Sequence, residues 1–193
     1  MINETIAVVL GYLLGSIPSA YIIGRLVGKI DLREEADGRI SASAVHKRLG
    51  VVPFVLVVIM DVGEGVLAVL IARMLTESLI VVMIAGFAAV VGHNWSVFLK
   101  FKGGLGATTI WGVLVCLAWW QFLAVAAVVF IQFLITRKSG LSTAILIIAL
   151  SIVLLVQYLF QNAPLILAIY PLILILLMVL KQFQISRAVP AKS

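Results

Sequence analysis

The sequence predicts an all-α fold, a polytopic integral membrane helical bundle with about seven transmembrane helices. Three observations predict it. Of the 193 residues, 64% are hydrophobic and only 11% are charged, and the mean hydropathy is +1.25. A soluble domain of this size could not bury so much apolar surface, so lipid is the expected solvent. The apolar residues also fall into runs near the length that crosses a bilayer, and basic residues gather between them.

Seven apolar segments are the candidate spans. The first residues lack the basic region and the cleavage site of a signal peptide, so we expect the first segment to be retained as a span. The fourth is short, and Trp119 and Trp120 close it as interfacial aromatic residues would. A turn at 162–164 divides the last apolar block, which is too long for one helix. The segments are 4–25, 51–73, 78–98, 106–119, 121–136, 141–160 and 164–180.

Lysine and arginine predict the orientation. If all seven segments cross, 13 basic residues fall on one side of the membrane and only Arg73 falls on the other. The positive-inside rule then places the N-terminus outside and the C-terminus in the cytoplasm. We expect one membrane domain over 1–193. Its cytoplasmic parts are the loops near 26–50, 99–106 and 137–140 and the tail 181–193.

The charge and the cysteine count exclude several classes of function. A net charge of +6 could indicate nucleic acid in a soluble protein, but here the basic residues flank spans, where orientation and anionic lipids explain them. Cys116 is the only cysteine, so no disulfide framework is expected. His46 and His93 are far apart and lack carboxylates near them in sequence, so no metal site is expected.

A glycine-lysine loop is the strongest candidate for a binding site. In Lys102-Gly103-Gly104-Leu105-Gly106 the glycines allow the backbone to approach a ligand, and the next helix would present its N-terminus to an anion. The loop lacks the spacing of the nucleotide P-loop. It therefore predicts a phosphate site, and an ordinary turn between spans is the alternative.

Three ionisable residues lie inside predicted spans. Asp61 and Glu64 are three residues apart and share a helix face. They could form the wall of a polar cleft, or they could make a packing ion pair, and for Asp61 we favour the structural role. His93 could relay a proton or orient a loop, although a single histidine is often structural.

The first span combines small residues with a proline. Gly11 and Gly15 are four residues apart, which predicts close packing against another helix. Pro18 predicts a kink in that helix or its end.

Together these segments resemble the bacterial acyl-phosphate:glycerol-3-phosphate acyltransferases, the PlsY family of small seven-span membrane proteins. Gly11-Tyr12-Leu13-Leu14-Gly15-Ser16-Ile17-Pro18-Ser19 resembles the opening span of the family, and Asp31-Leu32-Arg33 the start of its first cytoplasmic loop. The stretch from Gly92-His93 to Gly106 resembles its motif G-H-x-x-P-x-x-x-x-F-K-G-G-K-G.

The resemblance implies transfer of a fatty acyl group from acyl phosphate to glycerol 3-phosphate, giving lysophosphatidic acid in phospholipid synthesis. It implies no metal, no cofactor and no nucleic acid, and a site at the cytoplasmic face of the bacterial plasma membrane. Partners would be the two substrates, membrane lipids and other enzymes of phospholipid synthesis. The implied phosphate ligands are Lys102, Gly103, Gly104 and Gly106, and the implied catalytic residues are His93, Lys47, Arg39 and Thr143.

The chain departs from the family pattern at its polar positions. Asp37 stands at the position of a family serine, Lys47 at that of an arginine, and Leu105 at that of a lysine. The family motif D-x-x-K-G has Glu64 at its lysine position. In the C-terminal motif H-R-E-N-I-x-R, Lys181 and Gln184 take the histidine and asparagine positions, whereas Arg187 matches.

These departures leave an alternative open, which is a catalytically impaired or inactive paralogue that binds lipid or phosphate or acts as a scaffold. A small transporter that uses Asp61 and Glu64 as a relay is a weaker hypothesis, because no internal repeat is evident.

Overall fold

The computed structural model describes residues 1–33, 40–136 and 139–188, and within these ranges the chain forms helices and no strands. The all-α prediction is therefore confirmed, and each of the seven predicted segments is helical over most of its length. The helices are α1 Ile2–Gly15, α2 Ser19–Gly28, α3 Ala42–Leu49, α4 Val51–Leu75, α5 Leu79–Asn94, α6 Ala107–Leu117, α7 Trp119–Thr136, α8 Ser139–Gln161 and α9 Leu165–Ala188.

Within the described ranges, four helical stretches are long and apolar enough to cross a membrane. They are Ile2–Gly28, Val51–Leu75, Ser142–Gln161 and Leu165–Arg187. The three shorter apolar helices are Leu79–Asn94, Ala107–Leu117 and Trp119–Gln132. These lengths fit the predicted membrane bundle. Seven crossings and the sides of the two termini stay predictions.

Pro18 separates α1 from α2, as its position in the sequence predicts. Helix α1 ends at Gly15, and α2 begins at Ser19 with Pro18 as its N-terminal flanking residue. Proline has no backbone N–H, so it cannot continue the hydrogen bonding of α1. The break places Ser19, which is buried, at the start of a helix inside the protein.

The small residues of α1 allow its backbone to touch that of α5. A Cβ atom at Gly11 would lie 2.4 Å from the carbonyl oxygen of Ala85, and one at Gly15 would lie 1.9 Å from that of Ala89. Both distances are far inside van der Waals contact. The prediction of close helix packing is confirmed.

A second close contact joins α4 to α6. A Cβ atom at Gly65 would lie 2.3 Å from the carbonyl oxygen of Thr109, and one at Gly112 would lie 2.1 Å from that of Val62. The two contacts fix α1 and α6 against the helices that carry His93 and the buried carboxylates.

The chain groups into two compact units. The first comprises Met1–Val113 and Leu180–Ser193, and the second comprises Leu114–Val179. In the second, α7 packs on α8, and Gln121 donates a hydrogen bond of 2.8 Å to Gln157. The described candidate site residues belong to the first unit, except Thr143.

The first predicted cytoplasmic loop is partly helical and packed. Leu32 and Val45, on either side of 34–39, are fully buried in one apolar cluster. Ser41 caps α3 by accepting a hydrogen bond from the Ala44 N–H at 3.3 Å. The described part of 26–50 is therefore ordered protein and not a solvated linker.

Helix α9 differs from the prediction at its C-terminal end. It continues to Ala188, eight residues beyond the predicted end at 180. Lys181, Gln184 and Arg187 were expected in a tail and instead lie on the helix. The prediction ended the helix too early because its last two turns are polar on one face, and a hydropathy pattern does not distinguish such turns from a loop.

Candidate active site

A polar cavity lies in the first unit, where the break between α1 and α2 faces the end of α5. Its volume is about 20 Å³, enough for a water molecule. Hydroxyls, a carboxylate and an imidazole supply its polar lining, and the glycine loop supplies backbone. These residues are Ser19, Ser41, Asp61, His93, Ser96, Gly103 and Gly104.

Asp61 is held by two hydroxyl groups. Ser19 on α2 donates a hydrogen bond to its Oδ1, and Thr108 on α6 donates one of 2.8 Å to its Oδ2. The carboxylate is buried, and these bonds compensate its removal from water. Asp61 therefore ties three helices together, and it also lines the cavity.

Glu64 and His93 meet between α4 and α5. His93 Nδ1 lies 3.2 Å from Glu64 Oε2 and 4.0 Å from Asp61 Oδ1. The expectation that no carboxylates lie near the histidines is wrong for His93. The two carboxylates face α5 from one turn of α4, and a separation of 29 residues hides this contact in the sequence.

Asp61, Glu64 and His93 together have the spacing of a cation site. Their donor atoms lie within 4.8 Å of one another, a spacing that one ion could bridge. The His93 imidazole and the Glu64 carboxylate contact each other directly, and Glu64 Oε1 has no hydrogen-bond partner among the described residues.

The glycine loop is built around His93. A Cβ atom at Gly103 would lie 2.1 Å from the His93 carbonyl oxygen, and one at Gly104 would lie 2.5 Å from His93 Nε2. The Gly104 N–H donates a hydrogen bond of 3.1 Å to the same carbonyl. This amide is engaged within the protein. Phosphate binding by the amides of Gly103, Gly104 and Gly106 stays a prediction.

The loop leads into α6 through an unusual backbone. Gly106 has φ of +76°, and Lys100 and Phe101 have φ of +53° and +62°. Residues other than glycine rarely adopt this left-handed conformation, and each costs of order 1 kcal/mol or more. Beside Gly106, Asn94 is fully buried, and its amide atoms have no hydrogen-bond partner among the described residues.

Two predicted cationic residues, Lys102 and Lys47, lie outside the lining of the cavity. The Lys102 side chain is exposed and directly precedes Gly103, and Lys47 is exposed on α3. Neither lines the cavity, whereas Ser41 at the start of α3 does. Arg39 and Asp37 fall outside the described residues. Thr143 is buried in the second unit.

Two residues of the C-terminal motif, Lys181 and Gln184, contact Trp95, which follows Asn94 in the chain. The Trp95 Nε1–H donates a hydrogen bond of 2.9 Å to Gln184 Oε1, and the Lys181 ammonium lies 4.9 Å from the centre of the Trp95 ring. Lys181 is 3% exposed, so this cation–π contact is largely shielded from solvent. Arg187 is exposed in the last turn of α9.

A third carboxylate, Asp31, lies outside the spans. Arg33 donates hydrogen bonds of 3.0 and 2.7 Å to it from Nε and Nη2, and Arg25 forms an ion pair with it. The hydrogen bonds from Arg33 are the main reason that the pKa of Asp31 lies well below its usual value, and Arg25 adds to the effect.

Four hydroxyl groups of the site were not predicted: Ser19, Ser41, Ser96 and Thr108. Ser19 appeared only within the stretch that resembles the opening span of the family. The useful signal was Pro18, because it marks the break after which Ser19 begins α2. The Ser96 hydroxyl donates a hydrogen bond of 2.5 Å to the Ser16 carbonyl oxygen, and this bond fixes the chain after α5.

Comparisons with known proteins identify the family. The model of the glycerol-3-phosphate acyltransferase family matches residues 5–189. Glycerol-3-phosphate acyltransferase 2 of Moorella thermoacetica is 38% identical over 144 residues, which are 72% of this chain and 74% of that protein. The enzyme of Shouchella clausii is 36% identical over 168 residues, 86% of this chain and 82% of the relative.

Two crystal structures have the same architecture. Both are of PlsY (YgiH), an integral membrane glycerol 3-phosphate acyltransferase, in a glycerol 3-phosphate form and a lysophosphatidic acid form. The first has a TM-score of 0.81 at 30% identity, and the second 0.80 at 28%, and each comparison covers 96% of this chain and 91% of the other. Nothing in these comparisons favours an inactive paralogue. The chain is a multi-pass membrane acyltransferase, and it belongs to the glycerol-3-phosphate acyltransferase family.

Proposed function

We propose that this enzyme transfers a fatty acyl group from acyl phosphate to glycerol 3-phosphate, giving lysophosphatidic acid and inorganic phosphate. The observation that carries the proposal is the cavity in which His93 meets the glycine loop. A polar pocket between apolar helices suits a reaction that joins a water-soluble acceptor to a lipid acyl chain. The solved relatives were crystallised with glycerol 3-phosphate and with lysophosphatidic acid, which agrees with this chemistry.

In this proposal the acceptor phosphate binds to Lys102 and to the amides of Gly103 and Gly106. An ammonium and backbone N–H groups are the donors that a phosphate requires. His93 handles the proton of the acceptor hydroxyl. Positioning of two bound substrates supplies much of the rate, with no covalent intermediate on the protein.

The acyl phosphate is assigned to the cations of the first loop. Lys47 and Arg39 hold its phosphate and stabilise the charge that develops there. The support for this assignment is that Ser41 lines the cavity, and Ser41 caps the helix that carries Lys47. Thr143 is retained as a candidate from the family pattern alone.

The proposed location is the plasma membrane of a bacterial cell, with the site facing the cytoplasm. The support is the distribution of lysine and arginine, 13 against 1. The loops near 26–50, 99–106 and 137–140 then face the soluble acceptor. Other enzymes of phospholipid synthesis are proposed as partners because they would supply the acyl phosphate and consume the product.

The test is a product assay on the purified protein in detergent, with acyl phosphate and glycerol 3-phosphate as substrates. We expect equimolar lysophosphatidic acid and phosphate. Lys102→Ala should raise the KM for glycerol 3-phosphate about tenfold or more, as for loss of a charge-assisted hydrogen bond.

Lys100→Ala is the matched control, since Lys100 is exposed in the same loop and has the same charge. It should leave the KM within about twofold. Absence of product from the wild-type protein would overturn the proposed reaction. An equal effect of both substitutions would overturn the role of Lys102.

A further inference from the structure

Glu64 has a single hydrogen-bond partner in the described part of the chain, the imidazole of His93. The two side chains are 4% and 12% exposed, so little water reaches their contact. The second oxygen of Glu64, Oε1, is buried and has no partner among the described residues. A buried carboxylate with only one partner is poorly suited to a purely structural role, because its remaining lone pairs stay unsatisfied.

Asp61 is engaged elsewhere. It accepts hydrogen bonds from Ser19 and Thr108, and it is 4.0 Å from His93 Nδ1, beyond hydrogen-bond distance. The ring of His93 is therefore oriented by Glu64.

The two nitrogens of His93 face different surroundings. Nδ1 contacts Glu64, whereas Nε2 is next to Gly104, close enough that a methyl group on Gly104 would lie 2.5 Å from it. His93, Gly103 and Gly104 all line the cavity. A carboxylate at Nδ1 fixes the ring proton there and leaves Nε2 of the neutral ring as an acceptor on the side of the glycine loop.

We propose that Glu64 is a positioning residue that holds His93 with its Nε2 as the general base of the acyl transfer. This rests on the proposed function. His93 Nε2 accepts the proton of the acceptor hydroxyl as the acceptor oxygen bonds to the acyl carbon. The bond from that carbon to the phosphate oxygen breaks, the electron pair leaves with the phosphate, and the proton then passes to the departing phosphate.

The family motif D-x-x-K-G has a lysine where this chain has Glu64. A lysine at position 64 could not accept a hydrogen bond from Nδ1. Among the described residues, the charged groups that act on His93 are Glu64 and Asp61 on α4 and Lys181 on α9. Lys181 contributes no hydrogen bond to the ring.

The first test is kinetic and uses Glu64→Gln, which keeps the size of the side chain. An amide can turn its NH₂ toward Nδ1 and favour the wrong tautomer, so kcat should fall about 10²-fold. The KM values should change less than about threefold, since Glu64 does not touch substrate. Glu64→Asp keeps the carboxylate and should recover part of the kcat.

A double-mutant comparison separates positioning from simple packing. His93→Gln should lower kcat about 10²-fold or more, and adding Glu64→Gln to it should cause no further loss. An equal loss from Glu64→Gln with and without His93 would overturn the proposal. So would a wild-type kcat in Glu64→Gln, or an activity abolished by EDTA and restored by Mn²⁺, since the three groups would then hold a cation.

The second test needs no activity. The chain has two histidines, so the ¹⁵N-histidine NMR spectrum holds two rings, and His46→Gln assigns them. On titration from acid to alkali, Nε2 of His93 should lose its proton and Nδ1 should keep it. Retention of the proton on Nε2 would overturn the positioning role. Were the wild-type enzyme inactive, the proposed function and the general base would fail together, and the NMR result would still decide whether Glu64 fixes the ring.

Discussion

Asp61 and Glu64 lie one helical turn apart on α4 and are equally buried, yet their surroundings differ. Asp61 accepts a hydrogen bond on each oxygen, from α2 and from α6. Glu64 contacts one imidazole and has one oxygen without a described partner. The number of satisfied lone pairs therefore separates the two roles. We therefore expect the Asp61 side to contribute mainly to stability, and the Glu64 side, with His93 and the glycine loop, to contribute mainly to chemistry.

The largest effect is expected on the Glu64 side, from Gly103→Ala. The added Cβ would lie 2.1 Å from the His93 carbonyl oxygen, so the loop must leave the histidine. Activity should fall more than about 100-fold, as expected when catalytic groups are displaced by about 1 Å. The measurement is the rate of lysophosphatidic acid formation.

Gly63→Ala is the control for this substitution. Gly63 lies on α4 between the two carboxylates, and a Cβ atom there meets nothing within 4 Å. Alanine favours helix over glycine by up to about 1 kcal/mol, so this variant should keep its activity and be slightly more stable. A Gly103→Ala enzyme as active as Gly63→Ala would show that the loop does not depend on contact with His93.

The next largest effect is expected on the Asp61 side. Asp61→Ala leaves the Ser19 and Thr108 hydroxyls without their acceptor, at about 1–3 kcal/mol each. The melting temperature in detergent should fall by several degrees. Asp61→Asn keeps one acceptor oxygen, so its melting temperature should fall less. A wild-type melting temperature for Asp61→Ala, together with unfolding of Glu64→Gln, would contradict the proposed difference between the two carboxylates.

A smaller effect is expected at Trp95, which joins the His93 side to α9. Trp95→Phe removes the hydrogen bond to Gln184 and weakens the contact with the Lys181 ammonium, at about 1 kcal/mol in total. Gln184→Ala removes only the hydrogen-bond acceptor and should cost less. Melting temperatures of the two variants check the order, and the reverse order would contradict the cation–π contribution.

The smallest effect is expected at Asp31, the carboxylate outside the spans. Its pKa is lowered in the folded protein, so its contribution to stability is present above the unfolded value of about 3.9 and is lost as the pH falls through the folded pKa. Asp31→Asn should be slightly less stable at pH 7, and its difference from wild type should shrink below about pH 4. A difference that is constant with pH would contradict this origin.

The fold was largely predictable because lipid imposes simple rules. Segment lengths, the break at Pro18 and the packing face at Gly11 and Gly15 follow from hydropathy, the missing proline N–H and the absence of a Cβ. The end of α9 did not follow, because its polar last turns resemble a tail.

The site was only half predictable. The glycine loop and His93 were evident from spacing and family pattern, but the contact of His93 with Glu64 links positions 29 residues apart. The glycines were predicted to approach a ligand, whereas Gly103 and Gly104 first make room for His93 itself. Such contacts depend on the rotation of α4 against α5, which no pattern in one chain specifies.

The water-sized space beside His93 has a consequence for a competing reaction. The cavity can hold a water molecule next to His93, Gly103 and Gly104. A general base that takes a proton from the acceptor hydroxyl can take one from water in the same position. In the proposed reaction, glycerol 3-phosphate therefore protects the activated acyl group from hydrolysis by occupying the position of that water.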